Sequence, residues 1–206
     1  MDTDRLPGLR TTFFGLLGGI ALSLQSLALQ AADLLDVQVE KEDTRYYLYS
    51  ETTFDVGHEA LYALLIDYEK FEEFTSAIVE ARNLEPDARG RPGFFARMQG
   101  CALLFCKSFI RHGYLQLEPM SEIVAVAIPE KSDFKYSRER WRLIPAGEKT
   151  LLIYDFEMEP DFWIPPVIGP YFIQRALKNG AIRAVNRIER LALEIENEKL
   201  AAKPLD

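Results

Sequence analysis

The carboxyl-terminal part of the chain carries the clearest hydrophobic pattern. From Pro170 onward an apolar or small residue recurs in steps of three and four, at positions 173, 177, 181, 184, 188, 191 and 195. This spacing draws one stripe along an α-helix, and the basic residues at 175, 178, 183, 187 and 190 lie off the stripe. Because proline suits the first turn of a helix, the pattern predicts a helix that starts near Pro170 and continues for about 28 residues, or roughly 40 Å.

The central part of the chain alternates between strand patterns and turn residues. A first strand is predicted over 45–56, because its even positions form a largely apolar face. Leu61, Leu64 and Leu65 then predict a short helix over 58–67, and a second short helix follows at 68–78. Further strands are predicted at 79–85, 94–101, 106–118, 122–129, 134–144 and 150–159. The acidic segment 33–44 allows a short leading strand through Val37 and Val39.

This order of elements predicts an α+β fold, with a curved, mainly antiparallel sheet of about seven strands wrapped around the long helix. The side chains expected to face the interior, and to bind a ligand there, are mostly aromatic or aliphatic. They are Tyr46, Leu48, Phe54, Trp141, Leu143, Leu152, Tyr154, Phe156 and Met158 on the sheet, and Ile173, Leu177 and Ala181 on the helix. Such side chains either line a pocket for an apolar molecule or simply fill the core.

The amino-terminal residues have the pattern of a secretory signal peptide. An apolar run over 11–29 follows Arg5 and Arg10, and the small residues Ala31 and Ala32 precede a polar stretch. We therefore expect residues 1–32 to form a leader that is cut near Ala31 or Ala32, and the body to be exported, to a periplasm in a Gram-negative source. The alternative is an uncleaved membrane anchor, because nineteen apolar residues approach the length that spans a bilayer.

One segment resembles a known superfamily. The residues Leu64-Leu-Ile-Asp-Tyr-Glu-Lys-Phe-Glu-Glu-Phe74, followed by Glu80-Ala-Arg-Asn-Leu-Glu85, resemble the START/Bet v 1-like (SRPBCC) superfamily. The most similar branch is the polyketide cyclase/lipid transport and coenzyme Q-binding group, whose helical motif corresponds here to Asp67, Phe71, Glu73 and Phe74. Glu72 and Ser76 stand where members of the group often have proline.

The resemblance implies a helix-grip domain over residues 45–198, preceded by an extension at 33–44 and followed by a tail at 199–206. It further implies binding or transport of a lipid, quinone or polyketide-like molecule, without a shared catalytic set. The first alternative is an enzyme of the cyclase/dehydratase type that uses Tyr, Arg or Asp side chains in the same cavity. The second is an interaction module whose interior is filled by its own side chains.

The net charge and the absence of known motifs disfavour several kinds of partner and site. The net charge of −8 disfavours nucleic acid as a partner. His58 and His112 have no ligand cluster around them, so neither a metal site nor a cofactor is indicated. Asp155, Glu157 and Glu159 alternate with the inward residues of their strand, which predicts exposure to solvent rather than acid–base catalysis. Asp67 is expected to cap a helix or to pair with an arginine.

The two cysteines, Cys101 and Cys106, suggest a hairpin disulfide. On one continuous strand they could not reach each other, but as the closing residues of a hairpin with a four-residue tip they would lie at bridging distance. An exported body and an even cysteine count favour the bond, and two free buried thiols are the alternative.

Two loops are unusually apolar for turns. Their residues are Leu103, Leu104 and Phe105 in one, and Phe162, Trp163 and Ile164 in the other. Either they pack against the domain, or they form the rim of the cavity and contact a membrane transiently during ligand exchange.

Overall fold

The structure is a computed structural model that describes residues 32–102, 105–166 and 168–202. Eight strands form one antiparallel sheet with the order β1-β2-β8-β7-β6-β5-β4-β3. They are β1 (Asp33–Glu42), β2 (Arg45–Phe54), β3 (Ile78–Leu84), β4 (Gly93–Ala102), β5 (Phe105–Glu118), β6 (Glu122–Ala127), β7 (Phe134–Ala146) and β8 (Lys149–Pro160). The helices are α1 (His58–Ile66), α2 (Phe71–Phe74) and α3 (Gly169–Ala201), with 3-10 turns at Tyr68–Lys70 and Pro129–Lys131. The predicted α+β helix-grip arrangement is confirmed.

Alternation along the strands defines a concave inner face. In β2 the residues at 46, 48, 50, 52 and 54 are buried, and their neighbours are only partly so. Each inward residue of β2 faces an inward residue of β8 in the register, for example Leu48 opposite Phe156 and Ser50 opposite Tyr154. The alternation of apolar and polar residues along the strands therefore places the predicted interior side chains on one face of the sheet.

Two elements differ from the prediction. Residues 33–42 form a full ten-residue edge strand paired with β2, so the sheet has eight strands rather than about seven. The second short helix ends at Phe74 instead of residue 78, and Thr75 is already extended. The carboxylate of Glu72 accepts a hydrogen bond from the backbone N–H of Ala81 at 2.8 Å, which ties this helix to the strand that follows.

Helix α3 crosses the concave face, with Pro170 in its first turn as predicted. Its 33 residues exceed the expected length by one turn or more. The basic residues off the stripe are all exposed, which confirms the face that was assigned to water. None of the described helices combines the length and the hydrophobicity needed to span a bilayer.

The two halves of α3 pack differently. Val185, Ile188, Leu191 and Ala192 in its second half are buried, whereas every residue from 171 to 184 is at least partly exposed. The second half therefore anchors the helix, and the first half covers the sheet more loosely.

Candidate functional site

The inner face carries two apolar clusters. The first, which we call the α1 cluster, joins helix α1 and the second half of α3 to the sheet and includes Phe54, Trp141, Leu143 and Leu152. The second, the β2–β8 cluster, contains Tyr46, Leu48, Phe134, Phe156 and Met158. Ile173, Leu177 and Ala181 of α3 pack against the β2–β8 cluster, and Tyr154 packs against both. The structure thus brings together all twelve side chains that the sequence placed in the interior, although their role in binding stays a prediction.

A buried ion pair lies on this face. Arg111 of β5 is 1% exposed, and its Nη1 lies 2.9 Å from Oε1 of Glu139 on β7. The guanidinium carbon also lies 5.5 Å from the centre of the Phe94 ring and 5.2 Å from that of Phe156. The charge of Arg111 is therefore balanced by one carboxylate and two aromatic faces.

Two tyrosines surround the pair. The hydroxyl of Tyr154 donates a hydrogen bond to Oε1 of Glu139 at 3.1 Å. Burial, together with the nearby charge of Glu139, raises the pKa of Tyr154 well above its ordinary value, and burial has the same effect on the pKa of Tyr68. Burial lowers the pKa of Arg111, but the surrounding groups, of which Glu139 has the largest effect, together outweigh burial and raise the pKa overall. At neutral pH both hydroxyls are therefore protonated and Arg111 carries its charge.

Several polar atoms of this cluster lack a partner. Nε and Nη2 of Arg111, Oε2 of Glu139, and the hydroxyls of Tyr68 and Ser137 are buried without a hydrogen bond to any described residue. Leaving such a group unsatisfied costs about 1–3 kcal/mol, and more when it is charged. Hydrogen-bond donors and acceptors for a further molecule are thus concentrated at one place on an otherwise apolar face. We call these four residues and Tyr154 the polar cluster.

The centre of the interior is occupied by side chains rather than by an open hollow. Trp141 stacks on Tyr154 with ring centres 5.5 Å apart, and Tyr154 on Phe156 at 6.5 Å. Two surface recesses, of about 280 and 320 Å³, are bordered by other residues, and neither includes these rings or Arg111. The wide gap expected between sheet and helix is therefore largely filled in this structure.

Space remains beside the first half of α3. Gly180 lies three residues after Leu177 and four before Ala184, and so shares their helix face. A Cβ added at Gly180 would meet no atom within 4 Å, so this glycine is not needed for close approach to the sheet. Tyr154 is itself only partly buried. Open space thus lies beside the loosely packed half of the helix.

The other acidic residues singled out in the sequence form surface ion pairs or cap a turn. Arg140 and Arg142 pair with Asp155 on the convex face, and Arg45 pairs with Glu157 and Glu159, as expected for an outer face. Oδ1 of Asp67 accepts hydrogen bonds from the backbone N–H of Glu69 at 3.1 Å and from Nδ2 of Asn83 at 2.7 Å, so this acid caps a turn. Within the described ranges, no group of three or more potential metal ligands comes together.

The hairpin that contains both cysteines is paired further than expected. Strand pairing continues beyond the predicted closing pair of Cys101 and Cys106 to Ala102 opposite Phe105. Cys101 lies directly opposite Cys106 in the register, which is the backbone arrangement that a hairpin disulfide requires. The bond itself stays a prediction.

The predicted rim residues separate into two groups. Leu103 and Leu104 lie outside the described residues, and the structure describes only the backbone of Phe105. Phe162 stacks on Phe109 with ring centres 4.2 Å apart, and Ile164 packs against the β2–β8 cluster. Trp163, in contrast, is 78% exposed. Phe162 and Ile164 therefore hold the loop on the domain while Trp163 points outward.

The sequence pointed to Tyr154 of the polar cluster but not to its ion pair. Neither Arg111 nor Glu139 was among the predicted site residues, although Glu139 lies two positions before Trp141 and hence on its face. That spacing was the available signal for an inward acid. Its pairing with Arg111 depends on the strand order β5-β6-β7, which local spacing does not reveal.

A comparison of sequences identifies the family. Residues 56–181, more than half of the chain, match the family described as polyketide cyclase / dehydrase and lipid transport. The chain belongs to this family. No curated protein sequence matches it. Membership agrees with the helix-grip fold and supports a fold of the hydrophobic-ligand-binding or polyketide cyclase type.

Solved structures share the fold at low sequence identity. A START superfamily protein from Mycobacterium smegmatis is 16% identical, with a TM-score of 0.58, over 72% of this chain and 98% of that one. The Zhui aromatase/cyclase from Streptomyces sp. R1128 is 13% identical, with a TM-score of 0.55, over 78% and 99%. Human STARD10 is 12% identical, with a TM-score of 0.56, over 81% and 76%. At these identities the likeness establishes the fold alone.

Proposed function

We propose that this protein binds and carries an apolar small molecule that bears an uncharged oxygen group, such as a lipid, a quinone or a polyketide-like compound. The ligand lies between the first half of α3 and the concave face of the sheet. Family membership and the two apolar clusters support the class of ligand. The polar cluster supports the oxygen group.

The unsatisfied polar atoms are the observation that carries this proposal. A ligand carbonyl or hydroxyl accepts from Nε or Nη2 of Arg111 or from the Tyr68 hydroxyl, and a ligand hydroxyl donates to Oε2 of Glu139. Because Arg111 and Glu139 already neutralise each other, an uncharged group fits better than a carboxylate, which would compete with Glu139. The apolar remainder of the ligand packs against the β2–β8 cluster.

Binding in this place requires side chains to move. The rings of Trp141, Tyr154 and Phe156 occupy the centre, so the ligand takes their space when the first half of α3 lifts. That half has no buried residue between positions 171 and 184, whereas the second half is anchored. Opening of a loosely packed segment costs less free energy than opening of the core.

A substitution at Gly180 tests this placement. Gly180→Trp puts an indole into the open space beside the helix, and Ile182→Trp adds the same ring on the opposite, exposed face as a control. The probe is Nile red, a neutral apolar dye with a carbonyl oxygen, and its fluorescence reports binding. We expect similar affinity for the wild type and Ile182→Trp, and at least a tenfold weaker affinity for Gly180→Trp. No binding by the wild type, or equal binding by all three proteins, would contradict the proposal.

Catalysis of the cyclase or dehydratase type is a second candidate. The Tyr154 hydroxyl donates to Glu139, which pairs with Arg111, so a proton donor and a proton acceptor lie next to the proposed position of the oxygen group. Liquid chromatography with mass spectrometry of a bound ligand before and after incubation separates the two functions. An unchanged mass and retention time favour carriage, whereas loss of one water, or an isomer of the same mass with a new retention time, favours the enzyme.

The proposal includes export from the cytosol. The apolar run at 11–29, with Ala31 and Ala32 after it, supports removal of a leader. The register of Cys101 opposite Cys106 supports a disulfide in an oxidising compartment. Thiol counting under denaturing, non-reducing conditions checks the bond, and two free thiols in exported protein would exclude it.

The proposal also includes transient contact with a membrane through the loop before α3. Trp163 is 78% exposed, and Ile168 and Tyr171 are exposed nearby in the chain. Nζ of Lys107 lies 4.6 Å from the centre of the Phe162 ring. An outward tryptophan on a loop whose neighbouring phenylalanine contacts a lysine is a combination that favours the interface of a bilayer.

A further inference from the structure

A buried carboxylate on α3 binds the backbone near the start of β1. Glu189 is 5% exposed, and its Oε2 accepts a hydrogen bond from the backbone N–H of Ala32 at 2.6 Å. Its Oε1 accepts from the backbone N–H of Asp55 at 3.0 Å. The nearby Lys149 is paired with Asp55 at 2.6 Å. Within the described ranges, no lysine or arginine side chain forms an ion pair with Glu189.

Such an arrangement leaves a buried carboxylate without an ion-pair partner of its own, because Lys149, which interacts with Glu189 only at longer range, is paired with Asp55. Burial of a carboxylate is costly unless the group is paired and hydrogen-bonded. Two backbone amides supply hydrogen bonds to Glu189 but no positive charge. A cation at the position of the Ala32 nitrogen would supply both, at a distance that suits a charge-assisted hydrogen bond.

The sequence provides such a cation if the chain is cut at one particular bond. We propose that a signal peptidase removes the leader between Ala31 and Ala32, and that the new α-ammonium group of Ala32 forms an ion pair with Glu189. Hydrolysis breaks the peptide C–N bond, and water supplies the hydroxyl to the carbonyl of Ala31 and a proton to the nitrogen of Ala32. At neutral pH that amine takes up a further proton. The inference rests on the proposed export.

The ion pair would hold the edge strand to the long helix. Ala32 directly precedes β1, packs against the α1 cluster, and leads into the pairing of β1 with β2. Oε1 of Glu196, further along α3, accepts from the backbone N–H of Gly57 at 2.9 Å. Removal of the leader thus completes a set of contacts that anchor the second half of α3 and leave its first half free to open.

The position of the cut is the first test. The exported protein is purified and its amino terminus is determined by intact mass and by sequencing. We expect Ala32 to be the first residue. A cut at another bond, including the one after Ala32, would overturn the inference while leaving export intact. A chain that keeps its leader would contradict export itself, so the two failures are distinguishable.

The ion pair is tested on mature chains. One chain begins at a free Ala32, a second at an acetylated Ala32, and a third carries one additional glycine before Ala32. Acetylation removes the charge and the glycine displaces it, so we expect both changes to lower Tm by about 2–8 °C.

Glu189→Gln provides the control for these chains. In that background we expect acetylation to leave Tm essentially unchanged, because the carboxylate is absent. If Glu189→Gln does not fold, the three chains that keep Glu189 still decide the question. Equal Tm values for the free, acetylated and extended chains would overturn the ion pair.

Discussion

At the scale of single residues, Arg111 and Glu139 are expensive to bury. Both charges lose their hydration, and their mutual attraction repays that cost only when the remaining polar atoms are satisfied. In this structure Nε and Nη2 of Arg111 and Oε2 of Glu139 have no partner among the described residues. A binding site for an oxygen group requires hydrogen-bond donors and acceptors that have no partner within the protein, and the polar cluster provides them. If only stability mattered, apolar side chains at these positions would serve as well.

The stability of the pair can be measured directly. We expect Glu139→Leu alone to lower the free energy of unfolding by about 3–5 kcal/mol, because the guanidinium of Arg111 is left buried and unpaired. The double variant Arg111→Met/Glu139→Leu should recover most of that loss, since it replaces the pair with apolar side chains. Urea denaturation checks both. A double variant that is less stable than Glu139→Leu would show that the pair itself stabilises the fold.

The hydroxyl of Tyr154 gives a prediction for high pH. Its folded pKa is raised by burial and by Glu139, so the folded state retains the proton while the unfolded chain loses it near the ordinary value of 10.0. The contribution of the hydroxyl is therefore present below pH 10 and is lost as pH rises above it. We expect Tyr154→Phe to be less stable than the wild type at pH 8, and the difference to shrink towards pH 11. A difference in unfolding free energy that stays constant over this range would contradict the assignment.

At the scale of elements, α3 combines an anchored half with a loose half. Val185 and Leu191 are buried against the sheet and α1, and Glu189 and Glu196 bind the backbone after β2. Towards the other end, Ile173 and Leu177 are only partly buried. The helix can therefore open at one end while the other end keeps the fold intact.

Two glycines test how the helix and the sheet are packed. Gly180→Ala should raise the free energy of unfolding by about 0.5–1 kcal/mol, because the added methyl meets no atom and alanine favours a helix. Gly113→Ala in β5 should lower it by about 1–3 kcal/mol, because the new Cβ would lie 2.0 Å from the carbonyl oxygen of Val126. Thermal and urea unfolding measure both. Loss of stability in Gly180→Ala would mean that this side of α3 is closely packed.

The sequence predicted α3 and the inner face because both depend on local periodicity. The steps of three and four after Pro170 and the alternation in β2 and β8 are properties of short segments. The lengths of β1 and of the second short helix were harder to predict from the sequence. Strand β1 forms by pairing with β2, and the helix ends where Thr75 becomes extended and leads into β3. The ion pair of the polar cluster was not predicted, because Arg111 on β5 and Glu139 on β7 pair across the intervening strand β6. Local spacing in the sequence does not reveal that strand order.

At the scale of the whole molecule, the loop before α3 and the first residues of β5 belong to one end of the fold. The stack of Phe162 on Phe109 joins the loop to β5, and the loose half of α3 begins directly after the loop. A membrane contact at this end would place the opening of the proposed site next to the lipids. Ligand exchange would then avoid passage through water.

Trp163 is the residue with which to measure that contact. We expect Trp163→Ser to reduce sedimentation with anionic liposomes of phosphatidylcholine and phosphatidylglycerol by about tenfold or more, because a buried aromatic ring contributes a large share of interfacial binding. Ile182→Ser, which removes an exposed apolar side chain in the middle of α3, is the matched control and should bind like the wild type. If wild type, Trp163→Ser and Ile182→Ser all sediment equally, this end of the molecule does not contact membranes.

Native mass spectrometry of three exported proteins shows whether a ligand is held at the polar cluster. The proteins are the wild type, Arg111→Met/Glu139→Leu on the concave face, and Arg140→Met/Asp155→Leu, which removes an ion pair of 2.9 Å from the convex face. We expect the wild type and the convex-face variant to carry the same apolar, oxygen-containing molecule, and the concave-face variant to be folded but empty. A wild type that is bare and ignores a panel of lipids and quinones, or a concave-face variant with the same ligand at the same occupancy, would contradict this expectation.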